Sequence, residues 1–208
     1  MNEYYATPPD LVQDLLALGV IPGDATILEP CAGDGAIIRT MKEWGHTGSF
    51  TAIELEPEFR ASLTQSLALT NRGDGEDRLI IDSFFADYIS EDYIGRHDVG
   101  IVNPPYSLTE KFIEKSLQIC NEVWAVLRMS FFVGIKRCRW LRTFTPRRVL
   151  IAPRRPNFYP KKNTDICGTA WVLFDNGFNG VTTMEWLDYT PALVDYRSTF
   201  NRIGKEKK

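Results

Sequence analysis

Residues 26–44 read Thr-Ile-Leu-Glu-Pro-Cys-Ala-Gly-Asp-Gly-Ala-Ile-Ile-Arg-Thr-Met-Lys-Glu-Trp. An apolar run ends on Glu29 and Pro30, Gly33 and Gly35 form a tight turn, and a helical pattern starts at Ile37. A strand that breaks at glycines and re-enters a helix opens an α/β unit, with a helix N-terminus above the turn. The same alternation continues outward. Strands are expected at Thr26–Glu29, Ser49–Glu54, Leu79–Asp82, Asp98–Asn103, Glu122–Met129, Arg148–Ala152 and Thr169–Phe174. Helices are expected at Asp10–Leu18, Ile37–Trp44, Pro57–Leu69 and Leu108–Cys120, the last with Ser107 and Glu110 as a capping box. The pattern predicts an α/β fold: seven strands in a mostly parallel sheet, helices on both faces. No helix separates the last two strands, so they are expected to close one edge as an antiparallel hairpin. Asn71–Asp77 reads as a surface loop and Gly204–Lys208 as a frayed tail.

With 208 residues, 44% hydrophobic and 12% aromatic, the chain can build a full core, and it is expected to form a single domain over residues 1–208. The polar, acidic start MNEYYATPPD does not look like a signal peptide, and no apolar run approaches the ~20 residues of a membrane helix. Four cysteines without a Cys-x-x-Cys pair and two scattered histidines argue against a metal site, a disulfide framework and a histidine triad. A reduced, cytosolic setting is expected.

The net charge of −3 conceals a strong segregation. Residues 1–127 carry −13, residues 128–162 carry +11 with no Asp or Glu, and residues 163–208 carry −1. Phe131, Trp140, Phe144 and Phe158 are interleaved with the basic residues. Cations mixed with aromatics suit a nucleic acid, by phosphate attraction and base stacking. The alternative is a solvated basic face whose aromatics belong to the core.

Ligands of open α/β sheets bind outside the carboxyl ends of the strands, and four such ends carry unusual residues. The Glu29–Gly35 turn lacks the third glycine of the dinucleotide fingerprint, because Ile38 stands there. Its acid would repel a pyrophosphate and suits a ligand with an ammonium group. Glu54 could accept both hydroxyls of a ribose, and Asp87 could accept from an adenine amine or cap a helix. Asn103-Pro104-Pro105-Tyr106 is the most specific signal, expected by chance at roughly 10⁻³ in a chain of this length. Two prolines make a rigid turn presenting the Asn103 amide oxygen and the Pro104 carbonyl as convergent acceptors, with the Tyr106 ring beside them. Such a turn suits a planar group bearing an amine.

Together these residues resemble the class I S-adenosylmethionine-dependent amino-methyltransferases, with their Rossmann-like fold. Thr7-Pro8-Pro9, with Tyr5 beside it, is similar to the segment that closes over the methionine part of the cofactor, which places that role in residues 1–25. The resemblance implies cofactor contacts from Glu29, Pro30, Cys31, Ala32, Gly33 and Gly35, from Glu54 and Leu55, and from Asp87 and Tyr88. It implies Asn103, Pro104, Pro105 and Tyr106 as the catalytic loop. Motif order looks like the gamma arrangement of DNA amino-methyltransferases, and asparagine at the first motif position resembles adenine-N6 enzymes. The second half resembles stand-alone methyltransferases of phages and prophages, with no separate target-recognition domain. Residues 128–166 would be the substrate region, with Arg128, Phe131, Arg154, Arg155, Phe158, Lys161 and Lys162 as substrate contacts.

The activity so implied is methyl transfer from S-adenosylmethionine to adenine N6 in DNA, on a flipped-out base, without metal or membrane, by a monomer or dimer. Other readings of the tetrapeptide are an RNA amino-methyltransferase, a protein glutamine methyltransferase and a non-catalytic nucleic-acid-binding module.

Overall fold

The computed structural model describes residues 5–69, 76–153, 155, 156, 158 and 167–187. Helix α1 (Pro9–Leu16) starts with proline in its first turn, where a missing N–H costs nothing, and buries Leu11, Val12 and Leu15. The sheet then builds outward from β1 (Ile27–Glu29), with β2 (Phe50–Glu54) and β3 (Arg78–Ile81) parallel on one side. On the other side β4 (His97–Val102) and β5 (Cys120–Arg128) follow, also parallel. β7 (Thr169–Asp175) inserts antiparallel between β5 and β6 (Arg148–Ile151), giving the order β3-β2-β1-β4-β5-β7-β6-β8 with β8 (Thr183–Trp186) at the edge. Helices α2 (Ala36–Trp44), α3 (Arg60–Ala68), α4 (Glu91–Ile94), α5 (Thr109–Ile119) and α6 (Ile135–Thr143) make the connections.

Chain direction across the sheet reverses between β1 and β4: the first three strands step one way, and the fourth returns to the opposite side of β1. The loops after β1 and β4 therefore diverge and leave a crevice at their carboxyl ends. Strand pleating divides the core in two. On β7, Trp171 and Leu173 face one apolar cluster, while Ala170, Val172 and Phe174 face the other. Trp171 Nε1 also donates to the Leu11 carbonyl at 2.8 Å, which ties α1 to the sheet.

All seven expected strands are present, but the sheet has eight. β8 pairs parallel with β6 and takes the edge expected for the hairpin. Its four residues are all exposed, so no buried stripe marks it in the sequence. The Ser107–Glu110 capping box does not form. Leu108 is the N-cap residue of α5, without a side-chain cap, and Glu110 instead pairs with Arg137. Asp77 is not a solvent-loop residue: its side chain is 8% exposed, pairs with Lys42 and accepts from the Phe50 amide at 2.9 Å. Most of the expected loop and the tail Gly204–Lys208 lie outside the described residues. No helix among the described residues is long and apolar enough to cross a membrane.

Candidate active site

A cavity of about 380 Å³ lies over the crevice between the β1 and β4 loops, within the size range of small-ligand sites. Gly35 sets the first wall. Its φ of 82° is left-handed and starts α2, and an added Cβ would meet Ser66 Oγ at 2.7 Å and Cβ at 2.9 Å. Glycine is thus required there by the turn and by contact with α3, and Gly35 does not line the cavity. Gly33 does, and its amide donates to Glu54 Oε2 at 2.6 Å. Glu54 Oε1 accepts from the Glu56 amide at 2.9 Å, so the first turn fixes the acid that ends β2.

Glu29 ends β1 on the cavity wall and is 2% exposed. Its Oε2 is buried with no hydrogen-bond partner. Burial, then the nearby carboxylates of Asp34 and Glu54, push its pKa well above the usual carboxylate range. A buried carboxyl with one unpartnered oxygen on a cavity wall suits a cationic ligand, whose charge would offset the desolvation of the ionised form. Burial, then the nearby carboxyls of Glu29 and Glu54, push the Cys31 thiol up, and Cys31 Sγ lies 3.4 Å from the Asn103 carbonyl.

The second wall is the loop after β4. Both amide protons of Asn103 are engaged: Nδ2 donates to the Tyr5 carbonyl and to Thr7 Oγ1, each at 3.0 Å. Those two acceptors fix the amide's orientation and leave Oδ1 as the group that can accept. The Pro105 carbonyl takes the Leu108 amide, and the Tyr106 carbonyl accepts from Thr109 and Arg137. Among the described residues the Pro104 carbonyl takes no donor.

Most expected cofactor residues meet at this cavity. Tyr5 and Thr7 line it from the N-terminal arm, Pro30, Cys31 and Ala32 from the first turn, and Leu55 from the end of β2. Asn103 and Pro105 line it as well. Pro8, Pro104 and Tyr106 do not. The Tyr106 ring lies 5.4 Å from that of Tyr5, with the Arg128 guanidinium 3.9 Å from its centroid.

Several expectations change. Asp87 and Tyr88 are exposed and lie away from the cavity, and Asp87 borders a separate surface cleft with Lys115. Ser83, Phe84 and Phe85 line the cavity after β3 instead. β3 ends at Ile81 and the chain turns at once, so the residues just past the strand face the cavity. Phe84 and Phe85 contact Phe112 of α5, the first stacked at 5.5 Å and the second edge-on at 4.8 Å. These aromatics were legible as the residues next after a strand end.

Phe131 and Phe158 are 4% and 5% exposed and belong to the two core clusters, so neither offers a face to a base. Charge alone did not reveal this, because the aromatics of a basic segment still anchor it. Arg155 is exposed, whereas Arg154, Lys161 and Lys162 lie outside the described residues. Part of the basic run is spent on ion pairs: Arg137 with Glu110, Arg147 with Asp175 and Arg148 with Glu185. Among the described residues no group of three or more His, Cys, Asp or Glu side chains could hold a metal ion.

No protein-family model matches the chain. Over 118 residues it is 26% identical to the type II methyltransferase M.TthHB8I of Thermus thermophilus, covering 56% of this chain and 24% of that protein. The chain thus spans about a quarter of the curated relative it matches. Among solved structures it is similar to the methyltransferase subunit of a type I restriction-modification system from Streptococcus thermophilus, with a TM-score of 0.69 and 14% identity over 98% of this chain and 54% of that one. A candidate RNA methyltransferase from Pyrococcus horikoshii aligns with a TM-score of 0.62 and 18% identity, over 83% and 86% of the two chains. The chain has the α/β Rossmann-like fold of the class I methyltransferases.

Proposed function

We propose that the protein transfers a methyl group from S-adenosylmethionine to the exocyclic N6 amine of adenine in DNA. The observation that carries this reading is the Asn103 amide, locked by Tyr5 and Thr7 in the cavity that Glu29, with its unpartnered Oε2, also lines. The cavity residues fit the cofactor. Glu29 suits its cationic amino-acid end, Glu54 at the end of β2 suits a ribose, and Phe85 with Ser83 offers an aromatic and polar wall for a nucleobase. When bound, S-adenosylmethionine supplies an electrophilic methyl on a sulfonium.

An exocyclic adenine amine is a poor nucleophile because its lone pair is delocalised into the ring. Asn103 Oδ1 and the Pro104 carbonyl would accept hydrogen bonds from its two N–H groups and draw the nitrogen towards a pyramidal form. These acceptors hold more strongly as positive charge develops on nitrogen, which is transition-state stabilisation. The rigid prolines keep both in place without reorganisation, and proximity supplies much of the rest. A paired base cannot reach this loop from inside a duplex, so the target is flipped out. The similarity to a protein named as a type II methyltransferase and to one named as the methyltransferase subunit of a type I restriction-modification system supports DNA as the substrate class.

The test is transfer of labelled methyl to unmethylated DNA, with RNA in parallel, and digestion of the products to nucleosides. N6-methyl-deoxyadenosine is expected, and Asn103→Ala should abolish it while cofactor affinity stays near parental. Label confined to RNA would move the substrate, and equal loss of transfer and cofactor binding in the variant would overturn the role of Asn103.

A further inference from the structure

β5 leaves the sheet beside the Asn103–Tyr106 loop and turns through Met129–Phe132 into Val133-Gly134-Ile135. Val133 and Ile135 are 74% and 75% exposed, and Gly134, at φ 112°, turns the chain between them. Two bare aliphatic side chains on one tip have no role in the core.

The helix behind the tip has two distinct faces. Arg137, Trp140, Leu141 and Phe144, at i, i+3, i+4 and i+7, form the docked face. Arg137 Nε pairs with Glu110 at 2.8 Å, and its Nη2 donates to the Tyr106 carbonyl at 3.4 Å. Trp140 Nε1 donates to Glu114 Oε1 at 2.6 Å and stacks on Phe144 at 5.0 Å. The tip is thus anchored two residues from a contact with the amine-acceptor loop. Ile135, Arg139 and Arg142 lie on the opposite face and Lys136 on its flank, all exposed. Among the described residues none of these three cations forms an ion pair. The six helical steps from Lys136 to Arg142 span about 9 Å, the length of roughly two to three phosphates along one strand.

We propose that Val133 and Ile135 form an apolar wedge that enters the base stack of duplex DNA beside the target nucleotide, while Lys136, Arg139 and Arg142 hold the adjoining phosphates. This rests on the DNA-amine reading above. Flipping a base leaves a gap in the stack and breaks a pair, and apolar side chains can fill the gap and hold the neighbouring steps apart. Cations along the same helix favour a polyanion as the occupant, and the Arg137–Tyr106 contact sets the distance between wedge and acceptor loop.

The double variant Val133→Ser/Ile135→Ser tests this, since both residues are exposed and the fold does not depend on them. Methyl transfer is compared on a duplex with a paired target adenine and on one with an abasic site opposite it, which needs no pair broken. The variant should lose about tenfold or more on the paired duplex and change less than about threefold on the abasic one. Val133→Ile/Ile135→Val should keep parental rates on both. With 2-aminopurine at the target position, the signal of extrusion should fall for the serine variant on the paired duplex. Equal loss on both duplexes, or no loss on the paired one, would overturn the wedge. Transfer by the parent protein to RNA alone, or to no nucleic acid, would overturn the DNA reading itself and is seen before any variant is compared. The triple variant Lys136→Gln/Arg139→Gln/Arg142→Gln should lower the slope of log K against log salt by about 2 to 3. An unchanged slope would remove these cations from the interface.

Discussion

Asn103 Nδ2 donates to Thr7 Oγ1 at 3.0 Å, joining the acceptor loop to the N-terminal arm across 96 positions of sequence. Thr7 is 4% exposed and lines the same cavity. Its hydroxyl accepts from Asn103 and keeps its own proton to donate. The arm that would contact the proposed cofactor therefore also holds the amide that would bind the target amine. Thr7→Val removes this acceptor, loosens the amide and should lower kcat about tenfold, the worth of one hydrogen bond. Thr7→Ser keeps the oxygen and should stay near parental. Steady-state kinetics in both substrates checks this, and a change confined to KM would show that Thr7 serves binding alone.

Glu29 predicts a pH dependence with a definite sign. Its pKa is raised by burial first and by Asp34 and Glu54 next, so the folded, ligand-free protein holds a proton that the unfolded chain has released. Stability contributed at this site is present at low pH and is lost as pH rises from the ordinary carboxylate range through the raised value. A cationic ligand favours the ionised form, so its affinity should rise over the same window. Glu29→Gln should flatten both profiles, raise the midpoint of thermal unfolding of the ligand-free protein near neutrality and weaken S-adenosylmethionine binding. Unfolding scans and calorimetric titrations across a pH series read both effects. A parental slope in the variant would assign the proton to another group.

Gly35 lies at φ 82°, with Ser66 in the space of an added Cβ. Gly35→Ala imposes a left-handed alanine, worth about 1–3 kcal/mol, and a clash with α3 in addition. A lowered denaturation midpoint with an unchanged m-value is the expected result.

Lys42 and Asp77 form a buried pair whose side chains are 1% and 8% exposed. Lys42→Met leaves Asp77 buried without its cation and should cost about 3–5 kcal/mol. Lys42→Met/Asp77→Leu should recover part of that loss, the rest reflecting the Phe50 amide that Asp77 accepts from. Chemical denaturation of the parent, both single variants and the double variant closes this cycle.

Local patterns determined the layout of this protein. Strand and helix periodicity, the glycines after β1 and the prolines after β4 act over a few residues, so their consequences can be read from order alone. Hence seven of the eight strands, the crevice and most of its lining were legible, from Glu29 through Glu54 to Asn103. β8 escaped because an exposed edge strand carries no buried stripe.

Tertiary structure decided which side chains meet. Asp87 and Phe85 stand two positions apart, yet the turn after β3 sends Phe85 into the cavity and Asp87 to another face. Within one basic run, packing took Phe131 and Phe158 into the core and paired Arg137, Arg147 and Arg148 with acids from other segments. It left Lys136, Arg139 and Arg142 facing solvent. Neither composition nor period records these outcomes, because a side chain's partner is fixed by the fold. The contact between Asn103 and Thr7 exists only once α1, β1 and β4 are packed together.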